Sequence, residues 1–504
     1  MSHDIDEDFL ALPLRILTDA ALSRAAALGA EHADVRVMRT RRLMTSVRDA
    51  KVENNGTDEA LAFAVRVVHD GSWGFAASDV LTADEAARLA ERAVALAQVS
   101  RPLATSPVTL ASNAVQGSHD APARWVSDYL IDPWTLNDTT RSQPLIEWTA
   151  SLRAAGVDHA DASSDAVREN SYYADLSGTA TLQQRLRIEP SLTAVMIDAT
   201  SGDFDSMTTT APPTARGWEY MTGDGWDWAA EIAQLPQWLT EKLKAPSVEA
   251  GRYDLVIDPT NLWLTIHESV GHATELDRAL GYEANYAGTS FATPDKLGTL
   301  QYGSAEMSIV GDRQTPHGLS TVGWDDEGVS AQRWDIVRDG VLVGYQLDRA
   351  MAGNSGVTSN GCAYADSGLH VPIQRMPNVS LEADPHGGTT DDLIAGVDNG
   401  LYVVGDKSWS IDMQRYNFQF TGQRFFRIRN GRLEGQVRDV AYQSNTLTFW
   451  NSLAARGGPS TYLLGGAFNC GKGQPGQVAA VSHGAPSALF RDVNILNTVA
   501  EAGR

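Results

Sequence analysis

Two histidines and a glutamate fall within six consecutive residues, His267-Glu268-Ser269-Val270-Gly271-His272. Imidazoles bind transition metals, and a carboxylate beside them can move a proton. In the familiar H-E-x-x-H pattern the histidines are four apart, about 40° round an α-helix, and both reach one ion. Here they are five apart, about 140° on a regular helix, and cannot converge. A π-type turn of about 4.4 residues brings them back to roughly 50°. Gly271, just before the second histidine, eases such a distortion. The spacing predicts a bulge or kink between His267 and His272, and a straight helix there would argue against metal binding.

Catalytic zinc takes three protein ligands and leaves one position for water. Glu275, Asp277 and Glu283 are candidates by proximity in sequence. Cys470 is the stronger one, in the glycine-rich stretch Phe468-Asn-Cys-Gly-Lys-Gly-Gln-Pro-Gly-Gln477, where zinc would ionise a thiol set close to backbone. Cys362 reads as a small buried hydrophobe. The same stretch imitates a P-loop from Gly466 to Lys472, but Gly473 replaces the Ser/Thr that would hold magnesium. Tyr282, Tyr286, His317, Arg313 and Arg375 are polar candidates for an oxyanion stabiliser, each also readable as structural. Asp325-Asp326-Glu327 reads as a solvated turn.

The elements that must position these residues have clear punctuation. Tyr253–Ile257 is strand-like, Asp258 is a good N-cap, and Pro259 suits the first helical position. Leu262, Ile266, Val270, Ala273 and Leu276 give one long helix an apolar stripe that Gly281 would stop. Around it the second half reads as short strands, among them Trp334–Val337, Val341–Gln346, Gln423–Arg429 and Ala479–Ser482, with hairpin signals at Asp339-Gly340 and Asn430-Gly431. The first hundred residues read α-β-β-β-α. A helix over 13–28 is followed by strands Ala33–Arg39, Leu43–Val52 and Ala60–His69, with turns at Asn54-Asn55-Gly56 and Asp70-Gly71. A second helix begins at the capping-box spacing Thr82-Ala-Asp-Glu85. Residues 100–123 lack periodicity and read as a linker or surface excursion, and a further helix is expected over 227–244. Gly29-Ala-Glu-His-Ala-Asp-Val35 is echoed by Gly156-Val-Asp-His-Ala-Asp-Ala162, the pattern an internal duplication would leave. The expected class is α+β. An N-terminal α/β domain (1–245) has antiparallel strands and flanking helices, and a C-terminal β-rich domain (246–504) carries the metal-binding helix.

Composition narrows the function classes. With 504 residues, 43% hydrophobic and 20% charged, the chain is long enough for more than one core and well away from disorder. The net charge of −23 repels polyanions, so direct binding to nucleic acid is disfavoured. An acidic N-terminus, no long apolar run and only two cysteines point to a cytoplasmic protein without membrane spans or a disulfide framework.

At this point the chain resembles the TldD/PmbA family of metallopeptidases, on the TldD side. The specific matches are His267-Glu-Ser-Val-Gly-His-Ala-Thr-Glu275 and Cys470-Gly-Lys-Gly-Gln-Pro475. His32-Ala-Asp-Val-Arg36, Gly74-Phe-Ala-Ala-Ser78, Asp325-Asp-Glu-Gly328 and Arg375-Met-Pro-Asn378 support them, while residues 100–150 fit least well. The resemblance implies a zinc-dependent peptidase acting on peptides or unfolded segments, with Zn2+ on His267, His272 and Cys470. It also implies a dimer, with a PmbA-type paralogue or with itself. Glu268 would then take a proton from activated water and pass it to the leaving amine. Extended substrate is expected to add as a strand to a sheet edge. The rival readings are a non-catalytic peptide-binding or scaffold subunit, and a hydrolase with Cys470 as nucleophile.

Overall fold

Strict alternation along two long hairpins builds the first sheet. The computed structural model describes residues 3–199 and 202–501. His32–Arg48 pairs with Lys51–His69, His159–Asp175 pairs with Ala180–Ile197, and the two hairpins meet antiparallel along their first strands. Ser72–Ser78 extends one edge, and Phe204–Thr208 and the parallel strand Ala123–Val126 both pair with Ala180–Ile197. Because side chains alternate between faces, Val35, Val37, Phe63 and Val65 bury against helices Leu14–Ala27 and Ala83–Ser100. Farther along the same face, Leu43, Ala162 and Leu192 meet helices Asp138–Ala154 and Trp228–Lys244. The intervening residues Asp34, Arg36 and Arg66 point the other way and are also buried, against the second half of the chain.

The order helix, hairpin, third strand, helix occurs twice. At the sheet centre Arg41 pairs with Arg168, the same sequence offset that separates Gly29 from Gly156. The expected turn at Asn54-Asn55-Gly56 lies instead within a strand, Asn54 opposite Ser46 and Gly56 opposite Met44. The chain reverses at Asp49 and Ala50, both at positive φ, where the Asp49 carboxylate accepts from the Ala160 N–H at 2.9 Å and bonds the His159 ring. A long-range anchor outweighs the local turn signal. Asp70-Gly71, Asp339-Gly340 and Asn430-Gly431 do turn, each with two positive φ angles.

In the second half, Gly251–Ile257, Asn399–Ile411, Asn417–Arg429, Val440–Asn445 and Ala488–Asn497 close a barrel in which each strand pairs with two others of the set. Closure leaves no free edge. Its core residues Leu255, Leu401, Phe420 and Phe490 pack with Leu262, Ile266 and Val270 of the helical segment. The hairpin Leu463–Lys472/Gln477–Ala485 lies beside that segment. The segment between 104 and 122 has no regular structure but is tied down, with Asn113 donating to the Gly328 carbonyl at 2.7 Å. No helix among the described residues is long and apolar enough to cross a membrane.

Candidate metal centre

Asp258 caps the helix Pro259–Ile266 by accepting from the Thr260 N–H at 3.0 Å. The next turn, His267–Gly271, is π-wound, and His272–Thr274 tightens to a 3-10 turn. Widening the helix disturbs its backbone hydrogen bonding, and buried side chains engage the carbonyls of that turn. The Tyr302 hydroxyl donates to the Ser269 carbonyl, Thr274 Oγ1 to that of Val270 at 2.8 Å, and Gln346 Nε2 to that of Gly271 at 2.6 Å. Gly271 is helical in φ. Its lack of a side chain matters for space, because a Cβ there would lie 2.6 Å from Met376 Sδ. The helix is not continuous to Gly281 as the apolar stripe suggested. It breaks at Glu275, extended at ψ 116°, whose carboxylate reaches both His272 and Lys472.

The widened turn brings the two imidazoles together and faces them toward Cys470. One donor atom each from His267, His272 and Cys470 lies within 4.8 Å of the others, and His272 Nε2 is 3.7 Å from Cys470 Sγ. Ligand atoms on a tetrahedral zinc with bonds of about 2.0–2.3 Å stand roughly 3.4–3.6 Å apart. The residues fit such an ion. A register irregularity between Ala467 and Cys470 interrupts the hairpin beside the thiol.

Both Nδ1 atoms are already committed, His267 to His483 Nε2 at 2.7 Å and His272 to Glu275 Oε2 at 2.9 Å. Burial pushes His272 down to about 3 and His267 well below its ordinary value, so both rings are neutral and able to ligate. Burial pushes the Cys470 thiol up to about 12, opposed by Arg375, whose guanidinium donates to Sγ at 3.3 Å and to the Cys470 carbonyl at 2.7 Å. Glu268 is raised by burial against the pull of Arg415, which grips its Oε2.

Glu275, Asp277 and Glu283 do not join the donor cluster. They surround Lys472, whose Nζ is 3.1 Å from Glu275, 2.8 Å from Asp277 and 3.5 Å from Glu283. The P-loop imitation is thus a strand ending in a buried counter-ion. Of the oxyanion candidates, Arg375 serves the thiol, His317 bonds the Ala215 carbonyl, Arg313 is buried near Cys362 and Asp325, and Tyr282 and Tyr286 are exposed. Asp325-Asp326-Glu327 is a turn but not a solvated one. Glu327 is 1% exposed and pairs with Arg66 at 2.8 Å, and Asp326 pairs with Arg36. Sequence reasoning missed Arg415 and His483, which stand on separate elements, without local spacing to flag them.

A buried two-histidine, one-cysteine centre beside a closed barrel defines the class as an α+β protein built around a candidate metal site. The chain belongs to the PmbA/TldD family. A PmbA/TldA metallopeptidase C-terminal domain matches residues 250–497, and PmbA/TldA metallopeptidase domain 1 matches residues 33–97. A metalloprotease of Methanothermobacter thermautotrophicus is 28% identical over 98% of this chain and 100% of its own. A zinc metalloprotease TldD homolog of Saccharolobus solfataricus is 23% identical, covering 94% of this chain and 98% of its own. The crystal structure of TldE from Thermococcus kodakarensis shares the fold, with a TM-score of 0.69, 16% identity, and coverage of 95% of this chain and 99% of that one.

Proposed function

We propose that this chain is a zinc-dependent peptidase of the TldD type, hydrolysing peptides or unfolded polypeptide segments. The observation that carries the reading is the convergence of His267, His272 and Cys470, each within 4.8 Å of the others and each with its orientation fixed by a further residue. Zinc bound there supplies Lewis acidity, polarising a carbonyl and lowering the pKa of water to about 7.

The chain's own groups do the rest. Cys470 gives up its proton as metal binds, with Arg375 stabilising the thiolate. Glu268, raised by burial, accepts a proton at its carboxylate and returns it to the leaving amine. Arg415 holds that carboxylate in place. Substrate backbone would add along Leu463–Lys472, which pairs with Gln477–Ala485 alone among the described residues. Exposed Trp409, Met413 and Tyr286 lie on segments close to Glu268 and the glycine-rich turn, and suit unfolded chain or a PmbA-type or identical partner.

The deciding experiment is elemental analysis of the purified protein beside Cys470→Ser. Stoichiometric zinc in the first and a deficit in the second are expected. Full hydrolysis by a metal-free preparation would overturn the zinc reading in favour of Cys470 as nucleophile. Bound zinc without hydrolysis of any unfolded substrate would leave a binding subunit.

A further inference from the structure

His483 has no place in the ligand set, yet it is fully buried against it. It sits on Gln477–Ala485, opposite Gly465 in the hairpin. A side chain at 465 would strike Trp263, with a Cβ only 2.5 Å from that ring, and Trp263 lies nearly parallel to the His483 imidazole, 9° between planes. The indole is in turn anchored by Asp406, which accepts from its Nε1 at 3.2 Å. The fully buried His483 ring is thus flanked by Trp263, which has a fixed position of its own.

Its hydrogen bonds then fix the position of each proton. The Val379 carbonyl can only accept, so His483 Nδ1, 2.8 Å away, carries a hydrogen. In a neutral ring Nε2 is then a lone pair, and it accepts from His267 Nδ1 at 2.7 Å. His267 must carry its own hydrogen on Nδ1, which leaves its Nε2 lone pair for the space shared with His272 and Cys470. The other motif histidine is set by a different device, the charged pair of Glu275 and Lys472.

We propose that His483 is a positioning residue of the metal centre, fixing the tautomer and ring angle of His267 through a neutral relay that ends on the backbone of Asn378–Leu381. This rests on the zinc reading above. Outer partners of this kind are worth about 10–100-fold in metal affinity.

The test is zinc affinity by chelator competition for wild type, His483→Phe and His483→Gln, alongside the thermal midpoints of the metal-free proteins. Phenylalanine fills the space without a nitrogen, whereas glutamine offers an amide oxygen where Nε2 stood. Weakening of about 10–100-fold in His483→Phe is expected, with substantial recovery in His483→Gln at similar metal-free stability. Wild-type affinity in His483→Phe would overturn the proposal, as would equal losses in both variants that track the thermal midpoint. Failure of the wild type itself to bind zinc would instead sink the zinc reading, which separates the two.

Discussion

At the residue scale, the labour of the site divides, in the proposed reading, between groups that hold a metal and one, Glu268, that moves a proton. Glu268 is adjacent to a donor but its carboxylate meets Arg415 rather than the donor cluster. Glu268→Gln keeps the shape and removes the proton acceptor. It should retain zinc at wild-type stoichiometry while hydrolysis falls by about 10²–10⁴-fold, the usual worth of general acid–base catalysis. Parallel metal analysis and turnover of an unfolded substrate check both halves, and loss of zinc would reassign Glu268 to the ligand set. Cys470→Ser acts on the opposite half. An alcohol is a poor zinc ligand, so affinity should drop by more than the roughly 10–100-fold typical of an outer partner, read by the same chelator competition. The principal residues were legible because His267, Glu268 and His272 share one turn. Arg415 and His483 were not, since each reaches the site through pairings far apart in sequence.

At the element scale, five-residue spacing demanded a widened turn, and the π-wound His267–Gly271 supplies it. That inference needed only helix geometry. What supports the turn could not be read off, because Tyr302 and Gln346 come from other segments. Nor could the break at Glu275, whose carboxylate is recruited by His272 and by a lysine nearly two hundred residues later. The same competition moved the first hairpin's reversal from Asn54-Asn55-Gly56 to Asp49-Ala50, where a second strand provides the partners. Tyr302→Phe tests the support directly. It removes one buried donor from the Ser269 carbonyl without opening space, which should cost about 1–3 kcal/mol, seen as a lower urea midpoint of the metal-free protein. Zinc affinity should fall with it if the π turn is held open from outside, and an unchanged affinity would show that the turn is self-supporting.

At the scale of the molecule, the first sheet turns its charged face onto the second half and buries it. Asp34 bonds Arg66 at 2.8 Å, Arg66 bonds Glu327 at 2.8 Å, and Glu327 accepts from the Arg349 N–H, so one chain of charges crosses between the two sets of sheets. Asp-Val-Arg alternation in His32–Arg48 was visible in the sequence, but the burial of its charged face was not, because Arg36 finds Asp326 290 residues on and Arg66, opposite Asp34, finds Glu327 261 residues on. The doubled order of elements, centred on Arg41 and Arg168, is the arrangement an internal duplication would leave, and both hairpins contribute to this face. Its charge makes stability depend on pH. Burial pushes the Asp34 carboxyl up, but Arg66 and His32 outweigh it and hold the pKa at about 2 against an ordinary 3.8. A depressed carboxyl contributes stability that is present above the ordinary value and lost as pH falls through the folded one. Asp34 should therefore account for about 1 kcal/mol of the change between pH 5 and pH 3, approaching about 2 kcal/mol near pH 2. Asp325 and Asp348, which burial with Glu327 nearby pushes to about 7 and about 8, act in the opposite sense over that range. They are common to wild type and Asp34→Asn, and cancel in the difference between them. The variant is less stable throughout, since Arg66 loses a partner, so the quantity to compare is the slope. Urea unfolding at pH 5 and pH 3 should show it losing about 1 kcal/mol less than wild type on acidification, and identical slopes would mean that Asp34 keeps an ordinary pKa in the folded chain.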